Sequence, residues 1–172
     1  MYSLSDSIAI LERTPTSLRA LLGGLPEKWT HANEGPDTWS AYDIIGHLIH
    51  GERTDWIPRA RHILARNPEP FEPFDRFAQF TESKGKTLAE LLHSFESLRK
   101  ESVESLKQLN LTDHDLQLKG THPALGTVTL SQLLSTWTVH DLNHIAQISR
   151  VMAKVYSNET GPWREYLTIL HR

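Results

Sequence analysis

Four segments of the 172-residue chain carry apolar residues at the three- and four-residue spacing of a helix that buries one face. They span residues 5–22, 41–66, 87–109 and 130–154. No segment alternates polar and apolar residues as a half-buried strand would, and the short run GTVTL is interpreted as the entry to the fourth helix. The pattern predicts an all-α protein built as a four-helix bundle.

Capping signals and prolines set the expected limits of these helices. Ser40 and Thr87 are typical helix N-caps, and an acidic residue follows each of them three positions later, as in a capping box. Pro15 and Pro58 lie inside the first and second segments. Because proline lacks the amide hydrogen that an interior turn needs, we expect each to bend or divide its helix.

Two long connections separate the helices. Residues 67–85 are rich in proline and aromatic side chains, and residues 111–127 contain two histidines. Long ordered connections in small bundles often form the lid or rim of a site. The final run GPWREYLTIL places Pro162 where a helix would begin and predicts a short C-terminal helix. We therefore expect one domain over residues 1–172.

Composition excludes several classes of function. The chain has no cysteine, which removes disulfide scaffolds, thiolate zinc sites, iron–sulfur clusters and cysteine nucleophiles. A net charge of -3 offers no basic field for nucleic acid. No apolar run reaches the roughly 20 residues of a membrane span, and the start MYSLSDSIAI lacks the features of a signal peptide. We expect a soluble, cytoplasmic protein that acts on a small molecule, without nucleic-acid or membrane partners.

Two histidines of the fourth segment lie on its apolar face. His140 and His144, in the run HDLNH, are four residues apart and so stand one turn above each other. The same face carries Leu133, Trp137, Ile148 and Val151. Imidazoles directed into a core need partners, because an unsatisfied buried polar group costs a few kcal/mol. A divalent metal would satisfy both, although carbonyls or carboxylates could also do so.

The second segment offers a third inward-facing histidine. His47 shares its face with Ile44 and Leu48. Gly51, one turn later, would leave open space beside a bound metal for water or substrate. His50 lies about 60° from His47 around the helix axis and is a weaker alternative or a supporting residue. The sequence thus predicts a metal site formed by His47, His140 and His144.

The residues near the histidine pair limit the chemistry of such a site. The run HDLNH lacks the glutamate base of HExxH peptidases, and Asp141 points about 100° away from the ligand face. The Glu-x-x-His pairs of di-iron bundles are also absent. Three neutral imidazoles would leave a coordination position for water, a thiolate or a substrate oxygen. Because the chain has no cysteine, any thiol would have to be a cosubstrate.

Three segments resemble the DinB / YfiT-like superfamily of bacterial four-helix-bundle metalloproteins: TWSAYDIIGHLIHGE, GTVTLSQLLSTWTVHDLNHIAQISR and GPWREYL. The resemblance covers nearly the whole chain. It implies an up-down-down-up bundle with long crossover connections, often assembled as a homodimer. In that family one histidine of the second helix and an HxxxH pair of the fourth bind a divalent metal. In this chain the resemblance assigns these ligands to His47, His140 and His144.

The resemblance also implies a class of activity. Family members with assigned reactions resemble transferases or isomerases that use low-molecular-weight thiols such as bacillithiol or mycothiol, and a few act on maleylpyruvate. We therefore expect zinc or nickel as the metal and transfer of a thiol to an electrophilic small molecule. A metal-dependent hydrolase and a non-catalytic, ligand-binding stress-response protein are the alternatives.

Further residues are candidates for a substrate pocket: Trp39, His50, Gly51, His122 and Trp137. Trp39 and Trp137 lie near the predicted ligands, yet tryptophans at such positions are also typical of a plain core. His122 could reach the site from the second long connection or could simply be exposed. Glu52 and Arg59 are equally suited to a salt bridge and to a substrate contact. No catalytic residue is assigned.

Overall fold

The computed structural model describes residues 2–171, and within them it is an all-α bundle with one small hairpin. Its α-helices are α1 (Leu4–Leu11), α2 (Thr14–Leu22), α3 (Glu27–Thr30), α4 (Ala41–Thr54), α5 (Trp56–Leu64), α6 (Gln79–Glu82), α7 (Leu88–Gln108) and α8 (Leu130–Lys154). The strands are β1 (Lys119–His122) and β2 (Gly126–Thr129). The four predicted helices correspond to α1 with α2, α4 with α5, α7, and α8. Across residues 2–171 no helix has the length and apolar character that crossing a membrane requires.

Capping boxes begin the three long helices. The Ser40 hydroxyl accepts a hydrogen bond from the Asp43 amide, and the Asp43 carboxylate accepts one from the Ser40 amide, which starts α4. Thr87 and Glu90 make the same exchange at α7. Both predicted boxes are confirmed. Thr129 caps α8 in this way with Gln132, a pairing that the sequence analysis had not named.

Both helix divisions occur at or near the predicted prolines. Pro15 lies in the first turn of α2, where its missing amide hydrogen is not needed. The second break falls at Asp55, three residues before Pro58, because the proline ring excludes the carbonyl of the preceding turn. Asp55 takes φ -107 and ψ -73, and this junction redirects the chain from α4 into α5.

The interpretation of GTVTL was wrong in part. Residues Gly126–Thr129 form β2, which pairs with β1 in antiparallel register from Lys119 opposite Thr129 to His122 opposite Gly126. Gly120 lets β1 approach α5, because a Cβ there would lie 2.8 Å from Ile63 Cγ1 and from the ring of Phe71. The predicted short C-terminal helix is confirmed as a 3-10 helix over Gly161–Tyr166, with Pro162 in its first turn, and a second 3-10 helix follows at Thr168–Leu170.

A buried arginine joins the helices in the core. Arg99 of α7 is 1% exposed; its Nη2 donates to Glu52 Oε1 at 2.8 Å and to Asp141 Oδ1 at 2.9 Å, and its Nη1 donates to the Leu11 carbonyl at 3.0 Å. The indole of Trp137 donates to the same Glu52 oxygen at 3.2 Å. Glu52 and Asp141 are therefore occupied by a structural network that ties α1, α4, α7 and α8 together.

Candidate metal centre

Three imidazoles meet between α4 and α8. His47 comes from α4, and His140 and His144 come from consecutive turns of α8. Nε2 of His140 lies 3.2 Å from Nε2 of His47 and 3.1 Å from Nε2 of His144. One ring nitrogen of each residue lies within 4.8 Å of the others. The structure thus brings together the three histidines selected from the sequence.

The three rings are neutral near pH 7. Burial, reinforced by the neighbouring imidazoles, lowers the pKa of His47 to about 3 and that of His140 to about 2. Burial also lowers the pKa of His144. A neutral imidazole nitrogen carries either one proton or one lone pair. Nε2 of His140 can therefore make one well-aligned hydrogen bond, to His47 or to His144, although it contacts both.

The outer nitrogens of the rings differ in their surroundings. Nδ1 of His144 donates to Gln147 Oε1 at 2.9 Å, which leaves its Nε2 lone pair directed at the other two rings. Nδ1 of His47 and Nδ1 of His140 are buried without a hydrogen-bond partner among residues 2–171. Hydrogen bonds within the protein therefore do not satisfy the cluster.

The donor set fits a divalent cation. Nitrogen ligands held at 2.0–2.1 Å from a tetrahedral zinc ion lie roughly 3.3 Å apart. The two nitrogen–nitrogen distances from His140, 3.2 and 3.1 Å, are close to this spacing. A cation between the rings could accept all three lone pairs at once, which no arrangement of protons on neutral imidazoles achieves.

The lowered pKa values predict how metal-free protein responds to acid. Histidines of an unfolded chain titrate near pH 6.5, so between pH 6.5 and about 3 the unfolded state binds more protons than the folded state. Stability is therefore lost as the pH falls below 6.5, by up to about 1.4 kcal/mol per pH unit for each buried ring. Urea titrations of metal-free protein at a series of pH values measure this slope.

His140→Gln should flatten that slope, because one of the rings responsible has been removed. His93→Gln is the matched control, since His93 is an exposed residue of α7. Comparing the two variants cancels the contribution of carboxylates that titrate in the same range. An unchanged slope in His140→Gln would show that this ring binds protons equally in the folded and unfolded states, so that burial does not lower its pKa.

The histidines lie in the wall of a cavity of about 660 Å³. This volume falls in the range of small-molecule sites. The ring of Trp39 lies 4.8 Å from that of His47, and Phe74 contacts His47 edge-on at 5.4 Å. Phe71, Phe74 and Arg76 also line the cavity, so the connection over residues 67–85 forms part of its wall, as expected of a rim.

Two of the candidate pocket residues line this cavity. Trp39 is half-buried and stands beside the histidine cluster. His122, at the end of β1, lies farther along the wall. Its Nδ1 accepts hydrogen bonds from the amides of Ala124 and Leu125, at 3.1 and 3.2 Å, and so caps the hairpin turn.

The other three candidates do not line the cavity. Trp137 is fully buried and stacks on Trp56 at 5.7 Å, so it belongs to the core. A Cβ at Gly51 would lie 3.3 Å from Nε1 of Trp56, so the glycine makes room for that indole and not for substrate. His50 donates through Nδ1 to Glu82 Oε1 at 3.0 Å, away from the three-histidine cluster.

An ion pair lies in the cavity wall, and only one of its two residues was a candidate from the sequence. Asp55 and Arg59 are each 8% exposed, and Arg59 Nε lies 2.6 Å from Asp55 Oδ1. Burial raises the pKa of Asp55 to about 6, although Arg59 opposes the shift. The sequence analysis considered Arg59 but not Asp55. Asp55 could have been identified from the sequence, because it is an acidic residue at the helix break that Pro58 imposes.

Comparison with known proteins agrees with the fold. The chain resembles the solved structure of YfiT from Bacillus subtilis, described as a probable metal-dependent hydrolase with an unusual four-helix bundle topology. The TM-score is 0.75 at 21% identity, over 91% of this chain and 87% of that chain. No curated protein sequence matches significantly. The model of the DinB superfamily matches residues 10–148, a span that contains all three clustered histidines. The chain therefore belongs to the DinB superfamily.

Proposed function

We propose that His47, His140 and His144 bind one divalent metal ion, and that this centre activates a nucleophile for attack on a small electrophilic molecule. The observation that carries the proposal is the convergence of three neutral imidazole nitrogens at the wall of a cavity large enough for such a molecule. Zinc and nickel are the ions we expect for a member of this superfamily, and three imidazoles suit copper and iron as well.

The number of ligands supports catalysis over a structural role for the metal. Within residues 2–171 the cluster contains three histidines and no carboxylate. Structural zinc sites are closed by four protein ligands, whereas catalytic sites keep a position for an exogenous group. A bound divalent ion would supply a Lewis acid that lowers the pKa of a thiol or a water molecule at that position.

The surrounding side chains have defined tasks in this proposal. Gln147 holds the His144 ring so that its lone pair faces the site. Trp39 and Phe74 pack against His47 and restrict water around the donors. The apolar lining can hold the body of an organic electrophile beside the reacting centre.

A low-molecular-weight thiol is the first candidate nucleophile. Coordination to a divalent cation deprotonates a thiol without help from a protein base. The chain supplies no thiol of its own, and the cavity is large enough for a small thiol and its electrophile. In this reaction the thiol proton passes to solvent and the sulfur forms a bond to the electrophilic carbon. The leaving group departs with the electron pair of its bond to that carbon, as chloride does from monochlorobimane.

Water is the second candidate nucleophile, and Asp55 is the observation that favours it. Its carboxylate lines the same cavity, and a pKa of about 6 suits a general base near neutral pH. The hydrolase description of YfiT, which shares the fold, also supports this candidate.

Asp55→Asn separates the two nucleophiles. Thiol conjugation should stay within about threefold of the wild-type rate, because metal coordination alone activates the thiol. Ester hydrolysis should fall at least tenfold, because general-base catalysis contributes roughly 100-fold or more. The measurements are the metal-dependent reaction of monochlorobimane with bacillithiol, mycothiol, glutathione or coenzyme A, and hydrolysis of a p-nitrophenyl ester.

Asp113→Asn, at an exposed aspartate outside the cavity, is the control for that comparison. Metal content and circular dichroism of each variant establish that the site is intact before rates are compared. If neither reaction of fully loaded wild-type protein exceeds that of His140→Ala, the enzymatic proposal is wrong and the ligand-binding alternative replaces it.

A further inference from the structure

One arginine of the cavity has no carboxylate partner. Among residues 2–171 three arginines line the cavity, and two of them are paired: Arg59 with Asp55 at 2.6 Å and Arg150 with Glu34 at 2.7 Å. Arg76 makes no ion pair among residues 2–171. The adjacent Asp75 carboxylate instead accepts the Phe77 amide at 2.9 Å.

The guanidinium of Arg76, an exposed residue of the connection over residues 67–85, lies near two aromatic rings at the edge of the histidine cluster. It lies 5.9 Å from the ring of Trp39 and 5.4 Å from that of Phe77. Trp39 in turn lies 4.8 Å from the ring of His47 and 6.4 Å from that of His144. Arg76 donates no hydrogen bond among residues 2–171, and the fork of N–H groups on a guanidinium matches both oxygens of a carboxylate.

The charge of the site also favours an anion. The charged side chains of the cavity wall balance one another: Glu34, Asp37 and Asp55 against Arg59, Arg76 and Arg150. Asp37, like Arg76, makes no ion pair among residues 2–171, so these two side chains do not neutralise each other by direct contact. Neutral histidines add no charge, so a divalent ion would leave the site with an excess of two positive charges.

We infer that Arg76 binds a carboxylate of the substrate, so that this cavity takes up a small organic acid with an apolar body. This inference rests on the proposed function, because it names the class of substrate on which the proposed metal centre would act. Arg76 binds the carboxylate end of the substrate, and the apolar part of the substrate lies along the aromatic wall of the cavity beside the histidines. The preference for a carboxylate comes from Arg76, which can bind this group whether or not a metal is present.

Binding of two probes of equal size tests the inference. Isothermal titration calorimetry compares 3-phenylpropionate with 3-phenylpropionamide on wild-type protein, both metal-loaded and metal-free. We expect the acid to bind at least tenfold more tightly than the amide to loaded protein, and at least threefold more tightly to metal-free protein. Arg76→Gln should bring the ratio close to one in metal-free protein, and Arg76→Lys should retain part of it.

Arg61→Gln is the matched control, because Arg61 is exposed, lies in no ion pair among residues 2–171 and is outside the cavity. It should keep the wild-type ratio. Equal binding of acid and amide by wild-type protein would overturn the inference, as would an unchanged ratio in Arg76→Gln. If the protein binds no metal, the proposed function fails, and the metal-free titrations still decide whether Arg76 selects a carboxylate.

Discussion

Replacing both His140 and His144 with alanine is expected to abolish divalent-metal binding. His140 carries the central nitrogen, which lies within 3.2 Å of the donors of both other rings. The double variant removes two of the three imidazole ligands, both of which come from α8. Each single variant should also lose stoichiometric binding, and His47→Ala should weaken affinity at least tenfold.

Competition with a chromogenic chelator measures these affinities. His93→Ala is the control, because it removes an exposed imidazole from α7 and leaves the cluster intact. Its affinity should equal that of the wild type. Full metal retention by the double variant would show that the ion binds elsewhere on the chain.

Arg99→Met should be the most destabilising of the substitutions considered. The change leaves the Glu52 and Asp141 carboxylates buried without their counter-charge, and Asp141 is 0% exposed. Removing one partner of a buried ion pair typically costs about 3–5 kcal/mol. Arg99 also holds the Leu11 carbonyl, so the contact between α1 and α7 is weakened as well.

Urea denaturation of metal-free protein measures this loss. Arg19→Met is the matched control, because the ion pair of Arg19 with Glu96 is exposed and such pairs contribute less than about 1 kcal/mol. A loss below about 1 kcal/mol for Arg99→Met would mean that the two carboxylates tolerate burial without the guanidinium. The hydrogen bonds of Arg99 with Glu52 and Asp141 would then contribute little to the stability of the core.

Local rules explain which features were predictable from sequence. Helix starts depend on a few adjacent residues, and so Ser40 and Thr87 marked α4 and α7 correctly. The histidine cluster was also accessible, because residues four apart share a face of any straight helix and apolar neighbours indicate which face is inward. The superfamily match over residues 10–148 contains the first of the three resembling segments and nearly all of the second, whereas GPWREYL lies beyond it.

The features that sequence reasoning missed depend on how the elements pack. The break at Asp55 folds Trp56 back over Gly51, and this removes the open space expected beside the glycine. Trp137 shares a broad face with His140 but stacks on Trp56 in the core. Pairing of β1 with β2 depends on contacts across the turn, which four-residue strands do not reveal through alternation.

The charged groups of the cavity illustrate the same limit. Asp55 acquires its raised pKa from burial, and Arg76 approaches Trp39 through a connection of irregular backbone. Asp55 ends α4 and could be located from the break at Pro58, but its burial depends on packing. The position of Arg76 does not follow from periodicity, because no repeating geometry relates this irregular connection to α4 or α8. The histidines could therefore be selected from sequence, but the groups that would choose the substrate could not.

Elemental analysis of protein purified without a metal-affinity resin tests the central proposal most directly. The protein should contain about one equivalent of zinc, nickel or another divalent transition metal per chain, and His140→Ala prepared in parallel should contain almost none. A wild-type content below about one tenth of an equivalent, unchanged after incubation with zinc and nickel salts and removal of excess ion, would contradict the metal centre.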